Sequence, residues 1–382
     1  MIVLLVSFSL LALYILLLVP VSIGWFRLPV YKHSGKQPEV KVSVVVAARN
    51  EAQNIKALLL SLIRQDYPAT MYEIIIVDDH SQDDTYALAS ALALDFKSVS
   101  EIKILQLPDT LTGKKAALQQ GIHVSNGELI VITDADCISG PRWLRTMAEH
   151  FSIQKPQLIL GPVLMQGKGK LTGTLQTLEF TSLLATAAGS CHAGFPLLAN
   201  GANIAFSRKA FYACGGFEDN KQFASGDDMF LMLAISKKYG ARAVTFLRSE
   251  DAIVITPAAS SLGLFIQQRL RWVSKSKGYS YPLLVSTSLL VFFTNCMLAF
   301  LAIAALFSPS LAMVFILFIT GKTLAELPLM LSYSRFQGTV RLMWWFPVLQ
   351  IFNAFYTLII GIAGNIMAYE WKGRKNIKAL KT

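Results

Sequence analysis

The run Glu128-Leu129-Ile130-Val131-Ile132-Thr133-Asp134-Ala135-Asp136 joins a short apolar stretch to two carboxylates. Its first six residues are typical of a buried β-strand. In an extended backbone, alternation sends the side chains of Asp134 and Asp136 to the same side. Two such carboxylates repel each other unless a positive charge lies between them, and a hard divalent cation that also binds phosphate would supply it. The run therefore predicts a strand that ends at a metal-assisted phosphate site.

Strand-like and helix-like stretches alternate around this run. The predicted strands are Val42–Ala48, Glu73–Val77, Lys103–Leu107 and Glu128–Thr133, followed less regularly by Leu158–Leu164. Helical stretches separate the first four, and polar residues follow the ends of the strands. This order predicts an α/β fold with a mostly parallel sheet, whose ligand site lies at the carboxyl edge.

Three more polar clusters lie beside predicted strands or helix starts, namely Asp78-Asp79, Gly113-Lys114-Lys115 and Asp227-Asp228. The two ammonium groups of the second cluster suit a diphosphate, because the start of a helix adds positive potential. The GxxxxGK[ST] spacing of a P-loop is absent. Each cluster also fits an ordinary alternative, which is a solvated turn or, for Asp227, a helix cap. No single cluster therefore decides the chemistry.

Apolar residues are unevenly distributed over the 382 residues. A chain with 53% hydrophobic and 15% charged residues is too apolar for an ordinary soluble protein and too charged for a pure membrane bundle. A signal peptide at the start is disfavoured, because a basic start and a small-residue cleavage site are missing. We predict a transmembrane helix at 1–28, an α/β domain at 29–258, an amphipathic interfacial segment at 259–282, a membrane region at 283–370 and a basic tail at 371–382.

The C-terminal membrane region contains a strong candidate span, Leu283–Phe307, and two weaker ones, Pro309–Ser332, which carries Lys322 and Glu326, and Trp344–Ala368. The formal net charge is +11, and Lys and Arg gather next to the predicted membrane helices. The positive-inside rule explains this better than nucleic-acid binding, and it places the α/β domain in the cytoplasm at a cell inner membrane. Three C-terminal crossings would leave the basic tail outside. Either one segment is re-entrant or interfacial, or the number of crossings is two rather than three.

Taken in order, the motifs resemble those of a known family. They are Val42–Glu51, Val77-Asp78-Asp79-His80-Ser81, Gly113-Lys114-Lys115-Ala116-Ala117-Leu118, Asp134-Ala135-Asp136, Gly201-Ala202-Asn203, Gly226-Asp227-Asp228 and Gln268-x-x-Arg271-Trp272. The series closely resembles family 2 glycosyltransferases of GT-A fold. The resemblance is to the membrane-embedded branch, which includes poly-N-acetylglucosamine, hyaluronan and cellulose synthases and ceramide glucosyltransferases. The chain end at 370–374 also resembles that branch.

The resemblance implies a nucleotide-sugar pocket. Asp79 would bind the base of the donor, in a pocket lined by Arg49 and Glu51, and Lys114 would lie near the donor. The family usually has Pro or Thr with Tyr before Asn-Glu, where this chain has Ala47-Ala48-Arg49. The base is expected to be uracil, so the resemblance predicts a UDP-sugar as the donor.

The resemblance also implies a metal and a base. Asp134 would approach the ribose or diphosphate, and Asp136 with Asp134 would hold Mg²⁺ or Mn²⁺ on the diphosphate. Asp228 would be the general base, in a pair where the family usually has Glu-Asp. The residues that would contact the diphosphate and the acceptor are Asp227, Gln268, Arg271 and Trp272.

These roles predict a membrane-bound, inverting hexosyltransferase. It would move a sugar from a nucleoside-diphosphate sugar to a hydroxyl acceptor at the membrane, and its partners would be the donor, a lipid or lipid-linked glycan and membrane lipids. A processive polysaccharide synthase is the alternative. A non-catalytic membrane protein that senses nucleotide sugars is a third interpretation. A Rossmann-type oxidoreductase is disfavoured, because no GxGxxG follows the first strand.

Overall fold

The computed structural model describes residues 1–33, 35, 39–97, 101–167, 169–218, 226–279 and 281–376, so the end of the predicted basic tail lies outside the described residues. The chain forms two compact units. The α/β unit comprises Leu28–Gln166 and Gly194–Pro257, and the helical unit comprises Met1–Arg27, Gly167–Ala193 and Ala258–Thr382. The segment Gly167–Ala193 thus belongs with the helices, although it lies inside the predicted α/β stretch. The five predicted segment boundaries stay predictions.

The α/β unit alternates strands and helices over most of its length. Its strands are β1 (Val42–Ala48), β2 (Tyr72–Asp78), β3 (Glu101–Gln106), β4 (Leu129–Ile132), β5 (Ile138–Ser139), β6 (Leu158–Leu160), β7 (Val163–Gln166), β8 (Ile204–Ser207), β9 (Val244–Phe246) and β10 (Val254–Pro257). Its α-helices are α2 (Ile55–Ile63), α3 (Thr85–Asp95), α4 (Lys114–His123), α5 (Trp143–Gln154), α7 (Arg208–Ala213) and α8 (Asp227–Tyr239). Helices α2, α3 and α4 connect parallel strands, which need a crossover connection rather than a tight turn.

The main sheet within the described residues has seven strands, in the order β3-β2-β1-β4-β8-β6-β9. β1 pairs in parallel with β2 and β4, β2 pairs in parallel with β3, and β6 does so with β9. β8 runs antiparallel to both β4 and β6. All residues of β2 and β4 are buried, which is why β4 and the centre of β2, residues 74–77, are continuously apolar rather than alternating. The predicted α/β fold with a mostly parallel sheet is confirmed.

The predicted strand Leu158–Leu164 is wrong, because it is two strands in two sheets. β6 belongs to the main sheet, whereas β7 joins β10 and β5 in a three-stranded sheet. Gly161 and Pro162 separate them. Proline has no N–H to donate to a strand ladder, and a Cβ at Gly161 would collide with the Asn203 side chain, so the chain changes course here.

The helical unit contains six α-helices and a hairpin in its described part. They are α1 (Ile2–Arg27), α6 (Leu171–His192), α9 (Leu262–Ser274), α10 (Pro282–Ala304), α11 (Pro309–Phe336), α12 (Phe346–Ile366), β11 (Tyr369–Trp371) and β12 (Arg374–Asn376). Four segments of the described chain are long and apolar enough to cross a membrane: Ile2–Arg27, Pro282–Ala304, Pro309–Phe336 and Val340–Gly364. The predicted set of one N-terminal and up to three C-terminal apolar helices is confirmed.

Two charged residues of α11 are accommodated in a polar cluster. Lys322 Nζ donates to Glu326 Oε1 and to Gln350 Oε1, both at 2.6 Å. Gln350 Nε2 donates to Glu326 Oε2 at 2.6 Å, and the Tyr14 hydroxyl donates to Glu326 Oε1 at 2.5 Å. The cluster joins α1, α11 and α12, and each charge has an opposite charge or an amide beside it. These hydrogen bonds and ion pairs offset the free-energy cost of burying charged and polar side chains among apolar helices.

Candidate active site

The carboxyl ends of β1, β2 and β4 lie side by side at one edge of the main sheet. Because β8 runs antiparallel to β4, with its first residue opposite the last residue of β4, the residues that precede β8 reach the same edge. Parallel α/β sheets bind ligands at this edge. The motifs that meet there are those around Arg49, Asp79, Asp134 and Gly201.

The three residues predicted to bind the nucleotide lie in the loops after β1 and β2. Arg49 Nη1 donates to the carbonyl oxygens of Asp79 and of the next residue, both at 2.6 Å. Asp79 is buried, and its Oδ1 accepts from Gly113 N at 3.0 Å, which ties it to the start of α4. Glu51 is also buried, and its Oε2 accepts from Asn54 Nδ2 at 2.6 Å. The structure therefore joins Arg49 to the backbone beside Asp79, and Glu51 lies two residues after Arg49 in the loop that follows β1.

Lys114, the first residue of α4, lies among carboxylates. Its Nζ is 2.6 Å from Asp134 Oδ1 and 3.6 Å from Asp227 Oδ2, and its side chain is 29% exposed. Burial alone would lower the pKa of Lys114. The carboxylates of Asp134, Asp227 and Asp228 outweigh burial and hold this pKa well above its usual value. Lys114 is therefore a permanent positive charge that faces three carboxylates.

The prediction that Lys114 and Lys115 act as a pair is wrong. Lys115 is buried, and its ammonium group lies 4.8 Å from the centroid of the Phe230 ring. Adjacent residues of a helix do not face the same direction, so the start of α4 turns one ammonium to the acidic group and the other to an aromatic ring of α8.

The two carboxylates at the start of α8 have different surroundings. Gly226, with φ +89°, occupies the cap position, so the alternative that Asp227 is a helix cap is wrong. Asp228 Oδ2 accepts from Gly201 N at 3.0 Å, and its Oδ1 accepts from Met229 N at 2.7 Å. The positive end of the helix dipole favours both carboxylates. The loop before β8 and the first turn of α8 together fix the position of the Asp228 carboxylate.

The backbone around Asp134 is a turn rather than an extended strand. β4 ends at Ile132, and Cys137 N donates to the carbonyl oxygen of Asp134 at 3.1 Å. The expectation that strand alternation places Asp134 and Asp136 on one side is therefore wrong. Cys137 Sγ lies 3.7 Å from Asp136 Oδ1. Burial, with Asp136 and Asp134 nearby, raises the pKa of the Cys137 thiol well above its usual value, so the thiol stays protonated beside Asp136.

A divalent cation fits the donor set at this edge. In the described ranges, no group of three or more His, Cys, Asp or Glu side chains has the arrangement to hold a metal by itself. Mg²⁺ is commonly held by one or two carboxylates together with substrate phosphates, so two aspartates suffice. Three carboxylates surround one ammonium group here, and this excess of negative charge matches an added cation. Asp134 and Asp136 are the residues that would hold it.

The remaining predicted site residues, Gln268, Arg271 and Trp272, belong to α9 of the helical unit. Between them lies Arg269, which is 1% exposed and forms an ion pair with Glu179 of α6. The Cζ atom of Arg269 lies 4.0 Å from the centroid of the Trp272 ring, and its Nη1 donates to Gln268 Oε1 at 3.0 Å. Although α9 lies in the segment predicted to be amphipathic, Arg269 does not lie on an exposed polar face of it. It is buried, and it holds Gln268 and Trp272.

Sequence reasoning gave no role to the backbone N–H of Gly201, which binds the Asp228 carboxylate. The same loop is held by Asn203, whose Nδ2 donates to the carbonyl oxygens of Pro162 and Ala252, both at 2.8 Å. Asn203 Oδ1 accepts from Trp143 Nε1 at 3.0 Å. Gly201-Ala202-Asn203 carries no local signal for these contacts, because all of the partners come from distant parts of the sequence.

Two family models match the chain. The model described as Glycosyl transferase family 2 matches residues 43–213, and the model described as Glycosyl transferase family group 2 matches residues 129–371. The second match covers more than half of the chain. The two matches together cover residues 43–371, which include most of the α/β unit and part of the helical unit.

Curated relatives and a solved structure agree with these models. The chain is 38% identical over 96 residues to a beta-monoglucosyldiacylglycerol synthase of Trichormus variabilis, which is 25% of this chain and 20% of the relative. It is 30% identical over 145 residues to a poly-beta-1,6-N-acetyl-D-glucosamine synthase of Staphylococcus epidermidis, which is 37% of this chain and 33% of the relative. The chain spans less than half the length of the curated relatives it matches.

The solved structure is a mannosyltransferase of Pyrobaculum calidifontis in complex with GDP-Man and Mn²⁺. The two chains superpose with a TM-score of 0.61 at 19% identity, over 93% of this chain and 99% of that one. This likeness confirms the predicted GT-A fold.

Proposed function

This chain belongs to the family 2 glycosyltransferases, and we propose that it is a membrane-bound, inverting hexosyltransferase. The donor is a nucleoside-diphosphate sugar, expected to be a UDP-sugar, and the acceptor is a hydroxyl group of a lipid or lipid-linked glycan. Lys and Arg follow both α1 and α12 in the sequence, and the positive-inside rule supports a cytoplasmic α/β unit at an inner membrane.

The observation that carries this proposal is the charge arrangement around Lys114. Its ammonium group faces the carboxylates of Asp134, Asp227 and Asp228, so this group of four side chains has an excess of negative charge. A diphosphate that arrives with a divalent cation matches it, because the cation balances the carboxylates and the ammonium group faces the phosphates. Repelling carboxylates disfavour the folded state, and such arrangements are typical of functional sites.

Asp228 is the proposed general base. Its carboxylate accepts the proton of the acceptor hydroxyl as the hydroxyl oxygen attacks the anomeric carbon of the donor sugar. In the same step the bond from that carbon to the diphosphate oxygen breaks, and its electron pair leaves with the nucleoside diphosphate. A single displacement inverts the anomeric carbon, so an α-linked donor gives a β-linked product. The hydrogen bonds from Gly201 N and Met229 N support this role, because they fix the carboxylate in place.

The departing diphosphate needs positive charge beside it. When bound, Mg²⁺ or Mn²⁺ acts as a Lewis acid on the diphosphate, and we assign its retention to Asp134 and Asp136. Lys114 supplies a second, fixed positive charge, because its raised pKa keeps it protonated throughout the physiological range. The Mn²⁺ and GDP-Man of the similar mannosyltransferase structure support the choice of ion and donor class.

Substrate binding is divided among the remaining residues. Asp79, with Arg49 and Glu51, is assigned to the base and ribose of the donor. The hydrogen bond from Arg49 to the carbonyl oxygen of Asp79 supports this assignment, because it joins the loops after β1 and β2. The residues assigned to the diphosphate and the acceptor sugar are Asp227, Gln268, Arg271 and Trp272. For the last three the support is their motif, together with the buried Arg269 that holds Gln268 and Trp272 in place.

A lipid acceptor is favoured by exposed apolar side chains in the first half of α9. Leu262 and Leu264 are 63% and 52% exposed, and Ile266, one turn after Leu262, is exposed as well. Exposed apolar side chains on a helix just before an apolar helix long enough to cross a membrane are typical of a segment at the membrane interface. The similarity to a glucosyldiacylglycerol synthase points to the same class of acceptor.

The test uses the full-length protein in lipid nanodiscs with a membrane lipid extract. UDP-glucose, UDP-galactose, UDP-N-acetylglucosamine and GDP-mannose are screened with Mn²⁺ or Mg²⁺, and release of nucleoside diphosphate is measured. We expect one donor to be consumed, a chelator to stop its consumption, and thin-layer chromatography to show one sugar on a lipid. A protein that binds a donor but consumes none with either metal would be a sensor and would contradict the proposal.

A processive polysaccharide synthase is the second candidate. The motif Gln268-x-x-Arg271-Trp272, which the resemblance links to processive members, favours it, as does the similarity to a poly-N-acetylglucosamine synthase. The same screen separates the two, because a radiolabelled donor gives a ladder of sizes if the enzyme is processive.

A further inference from the structure

The last described element of the chain is a hairpin that packs on α9. β11 and β12 pair antiparallel, and the two residues between them, Lys372 and Gly373, have φ of +48° and +77°, as a type I′ turn requires. Tyr369 is buried in a cluster with Leu270 of α9 and Ile360 of α12. The hairpin is therefore anchored by an apolar core shared with both helices.

The hairpin also contacts two residues of α9: Gln267, which precedes the Gln268-x-x-Arg271-Trp272 motif, and Arg271 within that motif. Glu370 N donates to Gln267 Oε1 at 2.8 Å. The Cζ atom of Arg271 lies 4.3 Å from the centroid of the Trp371 ring. A guanidinium group stacked on an indole loses much of its freedom, because the ring face attracts the cation and restricts its orientation. Trp371 thus fixes the direction of the Arg271 side chain.

The two ends of α12 contact α6 and α9, in addition to the apolar helices α10 and α11. At its start, Phe346 packs with Leu175 and Leu178 of α6. At its end, Gly364 lies directly against Val273 of α9, where a Cβ would come within 2.6 Å of the valine. Between these ends, α12 runs alongside α9, with aromatic contacts from the start of α9 to the middle of α12.

Neither α6 nor α9 crosses a membrane. Both ends of α6 join the α/β unit in the chain, at Gln166–Gly167 and Ala193–Gly194, so a crossing would put that unit on both faces. α9 has 13 residues, which span about 20 Å, less than the roughly 30 Å of a hydrocarbon core. A helix whose two ends both touch such helices starts and finishes at one face.

We propose that α12 does not span the membrane but starts and finishes at the face where α9 lies, and that Trp371, in the hairpin that follows α12, is the positioning residue for Arg271. The role of Arg271 at the departing diphosphate rests on the proposed function, whereas the placement of the hairpin does not. Three crossings, by α1, α10 and α11, then leave the basic tail on the same face as α9. This satisfies the positive-inside rule, which three C-terminal crossings would violate.

Cysteine labelling in intact cells and in inverted membrane vesicles tests the placement. The background carries Cys214→Ser and Cys296→Ser, since the other two cysteines are buried. A membrane-impermeant maleimide is applied to Glu370→Cys in the hairpin, Lys209→Cys in the α/β unit and Ser310→Cys at the start of α11. We expect Glu370→Cys and Lys209→Cys to be labelled in inverted vesicles and Ser310→Cys in intact cells. Labelling of Glu370→Cys in intact cells with Ser310→Cys would overturn the proposal.

Turnover tests the positioning role. Trp371→Ala is expected to lower kcat about tenfold while the donor KM changes less than about threefold, because the loss of a cation–π contact misdirects Arg271 without removing it. Trp371→Phe keeps a ring and should recover kcat to within about threefold. Glu370→Gln, whose side chain is exposed, is the matched control and should equal the wild type.

The possible results separate the two proposals. A Trp371→Ala protein with wild-type kcat, or a Trp371→Phe protein as slow as Trp371→Ala, would overturn the positioning role. A wild-type protein that consumes no donor would contradict the proposed function alone. In that case the labelling still decides the placement, and hydrogen exchange of residues 262–274, expected to rise in Trp371→Ala but not in Trp371→Phe, decides whether Trp371 holds α9.

Discussion

Lys114 and Lys322 are both lysines placed among acidic and polar side chains, yet their surroundings differ. Lys114 lies at the carboxyl edge of the main sheet, is 29% exposed and faces three carboxylates. Lys322 lies within α11, is 3% exposed and faces one carboxylate and one amide, which also bind each other. The first group is half open to solvent and carries excess negative charge, whereas the second is closed and neutral.

The difference separates a site from a structural contact. A closed, neutral cluster satisfies its own hydrogen bonds, so it needs no ligand and serves to join α1, α11 and α12. In a partly exposed cluster with excess negative charge, the repulsion between the carboxylates is relieved when a positively charged ligand binds, and such clusters are typical of functional sites. The comparison predicts that changes at the first group alter turnover, and that changes at the second alter stability.

The largest effect is expected at Asp228, the proposed general base. Asp228→Asn keeps the shape of the side chain but removes the proton acceptor, so kcat should fall about 10²- to 10⁴-fold while the thermal midpoint stays within a few degrees of the wild type. Asp251→Asn, in the same unit but distant in sequence from the predicted motifs, is the control. Near-normal kcat for Asp228→Asn would show that another group accepts the proton.

The closed cluster should respond in stability. Lys322→Met leaves Glu326 as an uncompensated charge, which costs about 3 kcal/mol by analogy with other broken buried pairs. The double variant Lys322→Met with Glu326→Gln removes both charges and should regain most of this loss. Thermal unfolding in nanodiscs measures both. A double variant less stable than Lys322→Met would contradict this explanation, because the loss could then not come from an uncompensated charge on Glu326.

A smaller effect on turnover is expected at Lys114. Lys114→Met should lower kcat about ten- to a hundredfold, because one fixed positive charge beside the diphosphate is lost. Lys115→Met is the matched control, since the Lys115 ammonium group lies against the Phe230 ring. Equal kcat losses in the two variants would contradict the assignment of Lys114 to the diphosphate.

The smallest effect concerns a third group, His33, which lies between two carboxylates of the α/β unit. Its Nδ1 is 2.8 Å from Glu149 Oε2 and its Nε2 is 2.9 Å from Asp251 Oδ2. Burial opposes protonation, but these hydrogen bonds outweigh it and raise the pKa of His33. The resulting stability is fully present below the unfolded pKa of about 6.5 and is lost as the pH rises through the folded pKa.

The measurement for His33 is the free energy of unfolding as a function of pH for the wild type and His33→Gln. The wild type should be more stable by less than about 1 kcal/mol in mild acid, because the pair is partly exposed, and the difference should vanish in alkali. A difference that grows with pH would contradict the assignment of the charged form.

The main sheet was predictable because its strands carry a strong local signal. β4, residues 44–48 of β1 and residues 74–77 of β2 are continuous apolar runs, and such runs are typical of strands covered on both faces. The break at Gly161-Pro162 has a local signal in its proline, although the prediction passed over it. The grouping of α6 with the long apolar helices depends on contacts such as the close approach of Gly24 to Gly189, which no local pattern reveals.

At the candidate site, the sequence indicated which motifs are present but not which neighbours their side chains contact. Lys114 and Lys115 look equivalent in sequence, and the packing of α8 against α4 separates them. Arg269 looks like an exposed member of a polar face, and only Glu179, ninety residues away, shows why it is buried. Contacts between residues distant in sequence decide which neighbours each charged side chain has. A local sequence pattern could not predict these neighbours.

The most direct test of single displacement with Asp228 as the base is the anomeric configuration of the product. The full-length protein is incubated with Mn²⁺, its α-linked donor and a lipid acceptor, and the proton coupling at the anomeric carbon of the first product is read by NMR. One displacement predicts a β-linked sugar. An α-linked product would require two displacements through another nucleophile, and it would contradict the role proposed for Asp228.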